Sequence, residues 1–233
     1  MKLSIIIPCF NEVNTIEKLL DKINTIVDFN KEIIVVDDYS SDGSRELLQN
    51  KLKDKFQKLI LNEKNFGKGY SINQAKKILN GDIIIIQDAD LEYNPDDYKH
   101  LLKPIIEGRT NVVYGSRVMG KNRYLSDNFS SVYRVFFNHM LTTLSNILNS
   151  QKLTDAHTCY KVIKKNVFDR ISLKEHSFSF CPEITTKLAK INEKILEVPI
   201  SYNGRSYKEG KKIKMKDGFL AIKTLFKYKF FND

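Results

Sequence analysis

Four consecutive isoleucines, Ile83–Ile86, constrain the fold of this chain more than any other feature. The run is apolar at every position and lies between Asn80-Gly81-Asp82 and Asn94-Pro95. Such a run is typical of a strand in the centre of a parallel sheet that helices cover on both faces. Asp88 and Asp90 follow it almost directly, so both carboxylates are expected at the carboxyl end of a buried strand. In open α/β sheets that edge forms the ligand crevice.

The paired acids, Asp88-x-Asp90, are a candidate cation site. Carboxylate oxygens are suitable ligands for a divalent cation, and such a cation neutralises a diphosphate. A solvated turn or a helix cap is the alternative, and an isolated pair would favour it. The loops after the neighbouring strands favour a binding site.

Strand and helix patterns alternate along the first half of the chain, which predicts an α/β fold with a doubly wound, mostly parallel sheet and helices on both faces. We expect a single domain, 1–233. The predicted strands are 3–7, 33–36, 59–61, 83–86, 112–114 and 194–200. The predicted helices are 13–26, 44–55, 70–79, 96–106, 129–148 and 182–190.

Composition narrows the class of protein. A chain of 233 residues with 42% hydrophobic content can bury a large core. The three cysteines, Cys9, Cys159 and Cys181, have no metal-like spacing and favour a reducing compartment. The N-terminal apolar stretch is too short for a signal peptide, and no segment is apolar enough to span a membrane, so we expect a cytoplasmic protein.

Positive charge is concentrated near the C-terminus. The net charge is +10, and residues 205–229 contain nine lysines or arginines and two acids, a local balance of +7. Residues 219–231 interleave phenylalanines with lysines, which is typical of a helix lying in a lipid headgroup layer. Packing of this helix on the domain is an equal alternative. No aromatic stacking platform accompanies the basic stretch, so nucleic acid is not expected as a partner.

Polar residues also follow the first two predicted strands. Phe10 offers a flat face to a base, while Glu12 and Asp38 are placed to accept hydrogen bonds from a nucleobase or a ribose. Pro8 is expected to stop strand pairing because it has no backbone donor. Lys68, in Asn-Phe-Gly-Lys-Gly at 65–69, is expected to face the nucleotide, although the segment does not match a P-loop.

These motifs together resemble family 2 glycosyltransferases of GT-A fold. The matching segments are Ile-Ile-Pro-x-x-Asn-Glu at 6–12, Val-Val-Asp-Asp-x-Ser-x-Asp-Gly at 35–43, Asp-Ala-Asp-Leu-Glu at 88–92 and Gly-Ser-Arg at 115–117. The chain is most similar to the group of dolichol-phosphate mannosyltransferases and polyprenyl-phosphate glucosyltransferases, and the similarity continues through 154–161, 180–184, 197–200 and 205–212.

The resemblance implies a nucleotide-binding part over about 1–117 and an acceptor-binding part with a basic amphipathic tail over about 118–233. It also implies a role for residues in each matching segment. The implied nucleotide-sugar contacts are Pro8, Phe10, Glu12, Val36, Asp38, Lys68, Asp88 and Ala89. The implied ligands of Mg²⁺ or Mn²⁺ are Asp88, Asp90 and Glu92. The implied phosphate-binding and acceptor-binding residues are Arg134, Arg205 and Lys211, and the catalytic candidates are Asp90, Arg117, Asp155 and Glu183.

The expected reaction is transfer of a hexose from a nucleotide-diphosphate sugar with inversion at the anomeric carbon. A polyprenyl phosphate acceptor is already an anion and needs no strong base, whereas a hydroxyl acceptor would need Asp155 or Glu183 as base. Lipid phosphate implies peripheral contact with the cytoplasmic membrane face, and a membrane-protein partner is possible. The alternatives are the same chemistry on a saccharide or protein hydroxyl, and a non-catalytic nucleotide- or phosphate-binding module.

Overall fold

The computed structural model describes residues 1–119, 129–205 and 215–231. In the helix that begins at residue 129 it describes side chains from residue 135 onward, and in the helix that begins at residue 215 from residue 217 onward. Over these residues seven strands form one sheet. The strands are β1 (Lys2–Cys9), β2 (Asn30–Asp37), β3 (Lys58–Leu61), β4 (Ile83–Ile86), β5 (Val112–Ser116), β6 (Lys161–Lys164) and β7 (Ile195–Pro199). The helices are α1 (Ile16–Thr25), α2 (Ser44–Asn50), α3 (Lys68–Lys76), α4 (Tyr98–Ile106), α5 (Phe129–Asn149), α6 (Lys165–Asp169), α7 (Phe180–Lys190) and α8 (Met215–Phe230).

The order of strands across the sheet is β3-β2-β1-β4-β6-β5-β7. All neighbouring pairs are parallel except the two that β6 makes, with β4 and with β5. The doubly wound, mostly parallel sheet that the alternating pattern predicted is therefore confirmed. All four isoleucines of β4 are buried, as expected for a strand covered on both faces.

The direction of β6 decides which loops meet at one edge of the sheet. Because β6 runs against its neighbours, the loop that precedes it lies at the same edge as the carboxyl ends of β4 and β5. Residues 154–160 thereby come to the strand ends that carry 88–92 and 117. The strand β6 was not predicted, because Lys161–Lys164 has only two apolar residues between two lysines.

Pro8 does not end its strand as we expected. β1 continues to Cys9, with Pro8 opposite Val36 and Cys9 opposite Asp37 in the parallel pairing with β2. The backbone groups of Ile6 and Pro8 point to the same side, toward β4, since alternate residues of a strand share a direction. The Gln87 amide donates to the Ile6 carbonyl at 2.9 Å, and β4 ends just before Gln87. No residue of β4 lies opposite Pro8, so its missing backbone N–H costs the sheet no hydrogen bond.

Helix boundaries differ from the sequence expectations at several ends. The helix expected over 44–55 ends at Asn50 and is followed by a 3₁₀ turn at Lys53–Lys55. The helix expected from 96 begins at Tyr98, after a 3₁₀ turn at Pro95–Asp97 in which the Asn94 side chain accepts from the Asp96 amide at 3.1 Å. These ends are set by local turn and capping contacts, which the apolar period does not encode.

The long helix α5 has a polar buried face. Its buried residues include Thr142, Ser145 and Asn149, and Asn149 Nδ2 donates to Thr186 Oγ1 of α7 at 3.1 Å. The apolar positions of its helical period stay partly outside, since Phe136 is 53% and Ile147 73% exposed. The expected helix is confirmed, but its apolar stripe does not fill the core.

The C-terminal helix α8 packs against α7 and α5. It buries Ala221, Thr224, Leu225 and Tyr228 and exposes Phe219, Phe226 and Phe230. Packing on the domain and an exposed apolar face therefore coexist in one helix. No helix in the described ranges is both long enough and apolar enough to span a bilayer.

Candidate active site

Four carboxylates lie together at the carboxyl edge of the sheet, and we call them the acid cluster: Glu12, Asp88, Asp90 and Glu92. Glu12 follows β1, and the other three follow β4, its neighbour in the sheet. Leu91 adopts a left-handed backbone conformation with φ 60° and turns the chain after Asp90. The Glu92 amide then donates to Asp90 Oδ1 at 3.1 Å. The strand order thus brings together acids that lie about eighty residues apart in the sequence.

Arg205 lies inside the acid cluster. Its Nη1 and Nη2 each donate to one oxygen of Glu12, both at 3.0 Å, and Nη2 also donates to Asp90 Oδ2 at 3.1 Å. Its backbone amide donates to Glu92 Oε1 at 2.7 Å, while Tyr202 Oη donates to the other oxygen of Glu92 at 2.7 Å. A single guanidinium therefore bridges the ends of β1 and β4.

Asp90 is the electrostatically strained member of the acid cluster. Burial, together with the negative charges of Asp88 and Glu92, raises its pKa to about 7, although Arg205 opposes the shift. Three carboxylates in one partly buried region disfavour each other's ionised form. The site therefore holds more negative charge than Arg205 neutralises, which is the electrostatic condition for binding a further cation.

Lys68 neutralises Asp88. Its ammonium group forms a salt bridge with Asp88 Oδ1 and also contacts Cys159 Sγ. Burial opposes the charge of this lysine, yet Asp88 raises its pKa well above the usual range. Burial and the Asp88 charge likewise raise the pKa of the Cys159 thiol, so this cysteine is a neutral thiol rather than a thiolate.

Asp38 holds the turn that carries Lys68. Asp38 Oδ1 accepts from the Phe66 amide at 3.0 Å and from Asn62 Nδ2 at 2.7 Å, and its Oδ2 accepts from the Gly67 amide at 2.7 Å. Asp38 is 3% exposed. Its direct contact with a nucleotide stays a prediction, because in this arrangement its oxygens bind the protein's own backbone.

Arg117 and Asp155 form a buried two-point ion pair. Arg117 Nε donates to Asp155 Oδ2 at 2.7 Å, and Nη2 donates to Oδ1 at 2.8 Å. Burial opposes the charge of Asp155, but the Arg117 guanidinium outweighs it and lowers the pKa of this carboxyl. The guanidinium also lies over the Tyr202 ring, 5.2 Å from its centroid. A carboxylate so engaged is a weak proton acceptor, and its role as a base stays a prediction.

Glu183 is fully buried at the start of α7. Its oxygens accept from the backbone amides of Lys174 and Glu175 at 2.7 and 2.9 Å and from Lys187 Nζ at 2.9 Å. These bonds fix the segment before α7. A role of Glu183 as a base would require breaking them, and that role also stays a prediction.

The remaining predicted site residues fall into three groups. Pro8 and Phe10 are half-buried at the end of β1, whereas Val36 and Ala89 are buried, at 0% and 3% exposure. The Arg134 side chain and Lys211 lie outside the described residues.

The predicted metal ligands do not form a finished metal centre. Among the residues that the structure describes, no three His, Cys, Asp or Glu side chains are grouped so that they could hold a metal ion. Lys68 and Arg205 instead balance the charges of Asp88 and Asp90. The donor set still suits Mg²⁺ or Mn²⁺, because it consists of carboxylate oxygens and because the acid cluster sets four carboxylates against the two cations Lys68 and Arg205. The residues fit such an ion once the two side-chain cations move aside.

Some residues that shape the site gave no clear signal in the sequence. Ser44 Oγ accepts from the Glu12 amide at 2.8 Å, and Asp42 accepts from the Val13 amide at 3.0 Å. The segment Ser-Ser-Asp-Gly-Ser at 40–44 is typical of turns and helix caps, yet both residues also hold the Glu12 loop. Tyr202 and Cys159 come from loops whose positions depend on β6 and β7, so their contacts with the site had no local sequence signature.

Comparison with known sequences agrees with the motifs. The family model described as Glycosyl transferase family 2 matches residues 4–172. The chain is 29% identical over 232 residues to a dolichol-phosphate mannosyltransferase from Pyrococcus furiosus, covering 98% of this chain and 62% of that protein. It is 26% identical over 238 residues to a dolichyl-phosphate beta-glucosyltransferase from Trichomonas vaginalis, covering 94% of this chain and 72% of that protein. The chain thus spans about three fifths of the length of the mannosyltransferase.

Comparison with solved structures supports the fold. Glucosyl-3-phosphoglycerate synthase from Mycobacterium tuberculosis, solved with Mn²⁺, UDP and phosphoglyceric acid, superposes with a TM-score of 0.75 at 17% identity. The match covers all of this chain and 80% of that one. The resemblance that the motifs indicated and the GT-A fold are both confirmed.

Proposed function

We propose that this chain, which belongs to glycosyl transferase family 2, transfers a hexose from a nucleotide-diphosphate sugar to a polyprenyl phosphate of the dolichyl type. The reaction breaks the bond between the anomeric carbon and the donor diphosphate and forms a bond to an acceptor phosphate oxygen, with inversion. The acid cluster with its two cations, Lys68 and Arg205, is the observation that carries the proposal. A diphosphate leaving group needs positive charge, and the same edge of the sheet supplies both cations and cation ligands.

The proposed donor site uses the groups already in contact at this edge. Lys68, Arg117 and Arg205 bind diphosphate oxygens as negative charge builds on the leaving group. Asp88 and Asp90 hold Mg²⁺ or Mn²⁺, which neutralises the diphosphate when bound. Glu92 would serve as a further ligand of this ion only after its oxygens lose the hydrogen bonds from Tyr202 and the Arg205 amide. Pro8, Phe10, Glu12, Val36, Asp38 and Ala89 surround the nucleoside by analogy with the family.

Two observations favour an anionic acceptor over a hydroxyl. Asp155 is paired with Arg117, and Glu183 binds two backbone amides and Lys187. A hydroxyl acceptor needs a free base, whereas a phosphate acceptor is ionised at neutral pH and needs none. The two curated relatives are named for transfer to dolichyl phosphates, which supports the same class of acceptor for this chain.

A lipid acceptor implies contact with a membrane surface, for which α8 and α5 offer an apolar face. Phe219, Phe226 and Phe230 of α8 are 70%, 43% and 64% exposed. Lys223 and Lys227 lie on the same helix and are exposed. Amphipathic helices of this kind bind anionic lipid by combining apolar area with positive charge. We propose that the protein binds peripherally to the cytoplasmic face of the membrane. A membrane-protein partner could bind it at the same surface.

The test is a donor and acceptor screen with the full chain. GDP-mannose or UDP-glucose is incubated with Mg²⁺ or Mn²⁺ and a short polyprenyl phosphate in detergent, and the lipid-linked sugar is detected by mass spectrometry. We expect one donor to give product and a chelator to stop it. Transfer to a soluble saccharide or a peptide hydroxyl instead would favour the hydroxyl-acceptor alternative. Nucleotide binding without turnover on any acceptor would favour a non-catalytic binding module.

A further inference from the structure

The turn that carries Lys68 is packed tightly against the segment before α7. Gly67 has φ +101°, and a Cβ atom there would lie 2.5 Å from the His176 carbonyl oxygen. A Cβ atom at Gly69 would lie 2.1 Å from the Glu175 carbonyl oxygen. The Tyr70 amide donates to the His176 carbonyl at 3.1 Å. The backbone at 175 and 176 therefore forms one wall of this turn, opposite the wall that Asp38 provides.

That wall is held in turn by the C-terminal helix. Tyr228 Oη and Lys227 Nζ both donate to Glu175 Oε1 at 2.9 Å, and Ser179 Oγ donates to Oε2 at 3.0 Å. Burial opposes ionisation of Glu175, but these three hydrogen bonds lower its pKa, so the group is a carboxylate at neutral pH. Its side chain is 16% exposed, and Tyr228 is buried.

A continuous series of contacts thus connects α8 to the acid cluster. α8 holds the Glu175 carboxylate, the Glu175 and His176 carbonyls pack against Gly69 and Gly67, and Lys68 between them forms its salt bridge with Asp88. Glu183 fixes the same segment from α7 through the amides of Lys174 and Glu175. Lys68 cannot shift along the sheet edge without displacing this wall, because both flanking glycines are already in contact with it.

We propose that Glu175 and Tyr228 are positioning residues of the donor site, through which the C-terminal helix orders the Gly67–Gly69 turn and aims Lys68 at Asp88 and the donor diphosphate. The part that concerns the diphosphate rests on the proposed function. The part that concerns the turn is a property of the protein without ligand. No family motif that the sequence shows includes either residue.

The experiment measures the turn and the donor site separately. Hydrogen–deuterium exchange of the amides at 66–70 is followed in the ligand-free full chain, and UDP and GDP binding in the presence of Mn²⁺ is measured by calorimetry. The variants are Glu175→Ala, Tyr228→Phe and Glu175→Gln. Tyr228→Phe removes one hydroxyl while keeping the buried ring, and Glu175→Gln keeps an acceptor oxygen for Tyr228. Lys99→Ala, an exposed lysine of α4, is the matched control.

We expect exchange at 66–70 to accelerate and nucleotide affinity to fall by about three- to tenfold in Tyr228→Phe, the range set by loss of one hydrogen bond. Glu175→Ala should exceed that effect, Glu175→Gln should restore most of the exchange protection and nucleotide affinity, and Lys99→Ala should match the wild type. Variants that lose thermal stability but keep wild-type exchange at 66–70 and wild-type nucleotide affinity would overturn the proposal. Should the wild type bind neither nucleotide, the proposed function fails, while the exchange result still decides whether α8 orders the turn.

Discussion

Arg205 and Glu12 form a two-point ion pair across 193 positions of sequence, with both N–O distances at 3.0 Å. The pair joins the loop after β1 to the segment after β7, and the same guanidinium reaches Asp90 at 3.1 Å. Arg205 therefore contacts a carboxylate, Asp90, that we assign as a ligand of the divalent cation. A divalent ion and this arginine have the same electrostatic preference, so they are expected to compete for the acid cluster.

The first prediction concerns that competition. Arg205→Gln should strengthen binding of Mn²⁺ in the absence of nucleotide, by about tenfold, or about 1.4 kcal/mol, because the variant leaves the carboxylates without their internal cation. Calorimetry or the electron paramagnetic resonance of free Mn²⁺ measures the affinity. Arg170→Gln, which removes an exposed arginine paired with Glu193, serves as control. Unchanged or weaker Mn²⁺ binding in Arg205→Gln would show that the arginine does not compete with the ion.

Asp90→Asn should lose activity and gain stability. Transfer should fall by roughly a thousandfold, since the variant removes a cation ligand at the leaving group. The folded-state pKa of Asp90 is about 7, above its ordinary value of 3.8. Its protonated form therefore stabilises the fold below about pH 4, and that contribution is lost as the pH rises through 7. At pH 8 without metal, the neutral amide should raise the free energy of unfolding by about 2 kcal/mol.

Urea unfolding at pH 8 with a chelator, and transfer assays with excess Mn²⁺, measure these two effects. A variant that is destabilised at pH 8 would contradict the electrostatic account of Asp90. Normal transfer by a folded Asp90→Asn protein would contradict its assignment as a cation ligand.

The fold was predictable from sequence where the apolar pattern is local. The run Ile83–Ile86 and the alternation on either side of it gave the sheet, its parallel character and the edge where the acids lie. Helix ends were less accurate, since residues such as Asn94 set them through single side-chain contacts. The strand β6 escaped prediction because its four residues acquire their direction only from pairing with β4 and β5.

The sequence indicated candidate site residues but not their pairings, and their roles stay predictions. The sequence indicated Asp90 through the paired acids, Arg205 through the family resemblance, and Asp155 as a base for a hydroxyl acceptor. The sequence could not reveal that Arg205 forms an ion pair with Glu12, because this contact depends on the chain after β7. Nor could it reveal that Asp155 is paired with Arg117, because that contact depends on the direction of β6. The buried polar face of α5 was also missed, since hydropathy at helical spacing favours the apolar stripe.

His157 should make stability depend on pH. Burial, reinforced by the neighbouring charges of Lys161 and Arg117 and opposed by Asp155, lowers its pKa from 6.5 to about 4. Its Nε2 atom is buried and has no hydrogen-bond partner among the described residues. The neutral imidazole stabilises the fold fully above pH 6.5, and this contribution is lost as the pH falls toward 4, by up to about 3 kcal/mol.

His157→Gln should flatten that dependence between pH 4 and 6.5 when urea unfolding is measured at several pH values. His100→Gln is the control, because that histidine is exposed on α4. An unaltered pH profile in His157→Gln would assign the acid sensitivity to other groups.

Substituting either residue of the Arg117–Asp155 ion pair should lower the stability of the fold. Asp155→Asn leaves a buried guanidinium without its counter-charge, and Arg117→Gln leaves a buried carboxylate, so each should lower the free energy of unfolding by about 3 kcal/mol. The double variant should lose less than the sum of the two single losses, since both charges are then removed. Additive losses in the double-mutant cycle would show that the two residues do not interact as the structure has them.

The last prediction separates the acceptor from the donor. Phe226 and Phe230 are exposed on α8, with ring centroids 6.0 Å apart, and neither fills the core. The double variant Phe226→Ser/Phe230→Ser should therefore keep the wild-type melting temperature while lowering co-sedimentation with anionic vesicles by about tenfold, since both rings contribute apolar area at the lipid interface. Transfer to polyprenyl phosphate in those vesicles should fall accordingly, whereas metal-dependent hydrolysis of the sugar nucleotide should not. Val27→Ser, which changes a residue 86% exposed outside α5 and α8, is the matched control. Equal vesicle binding by the double variant and the wild type would remove α8 from the membrane contact, and an equal loss of hydrolysis and transfer would place the defect in the donor site.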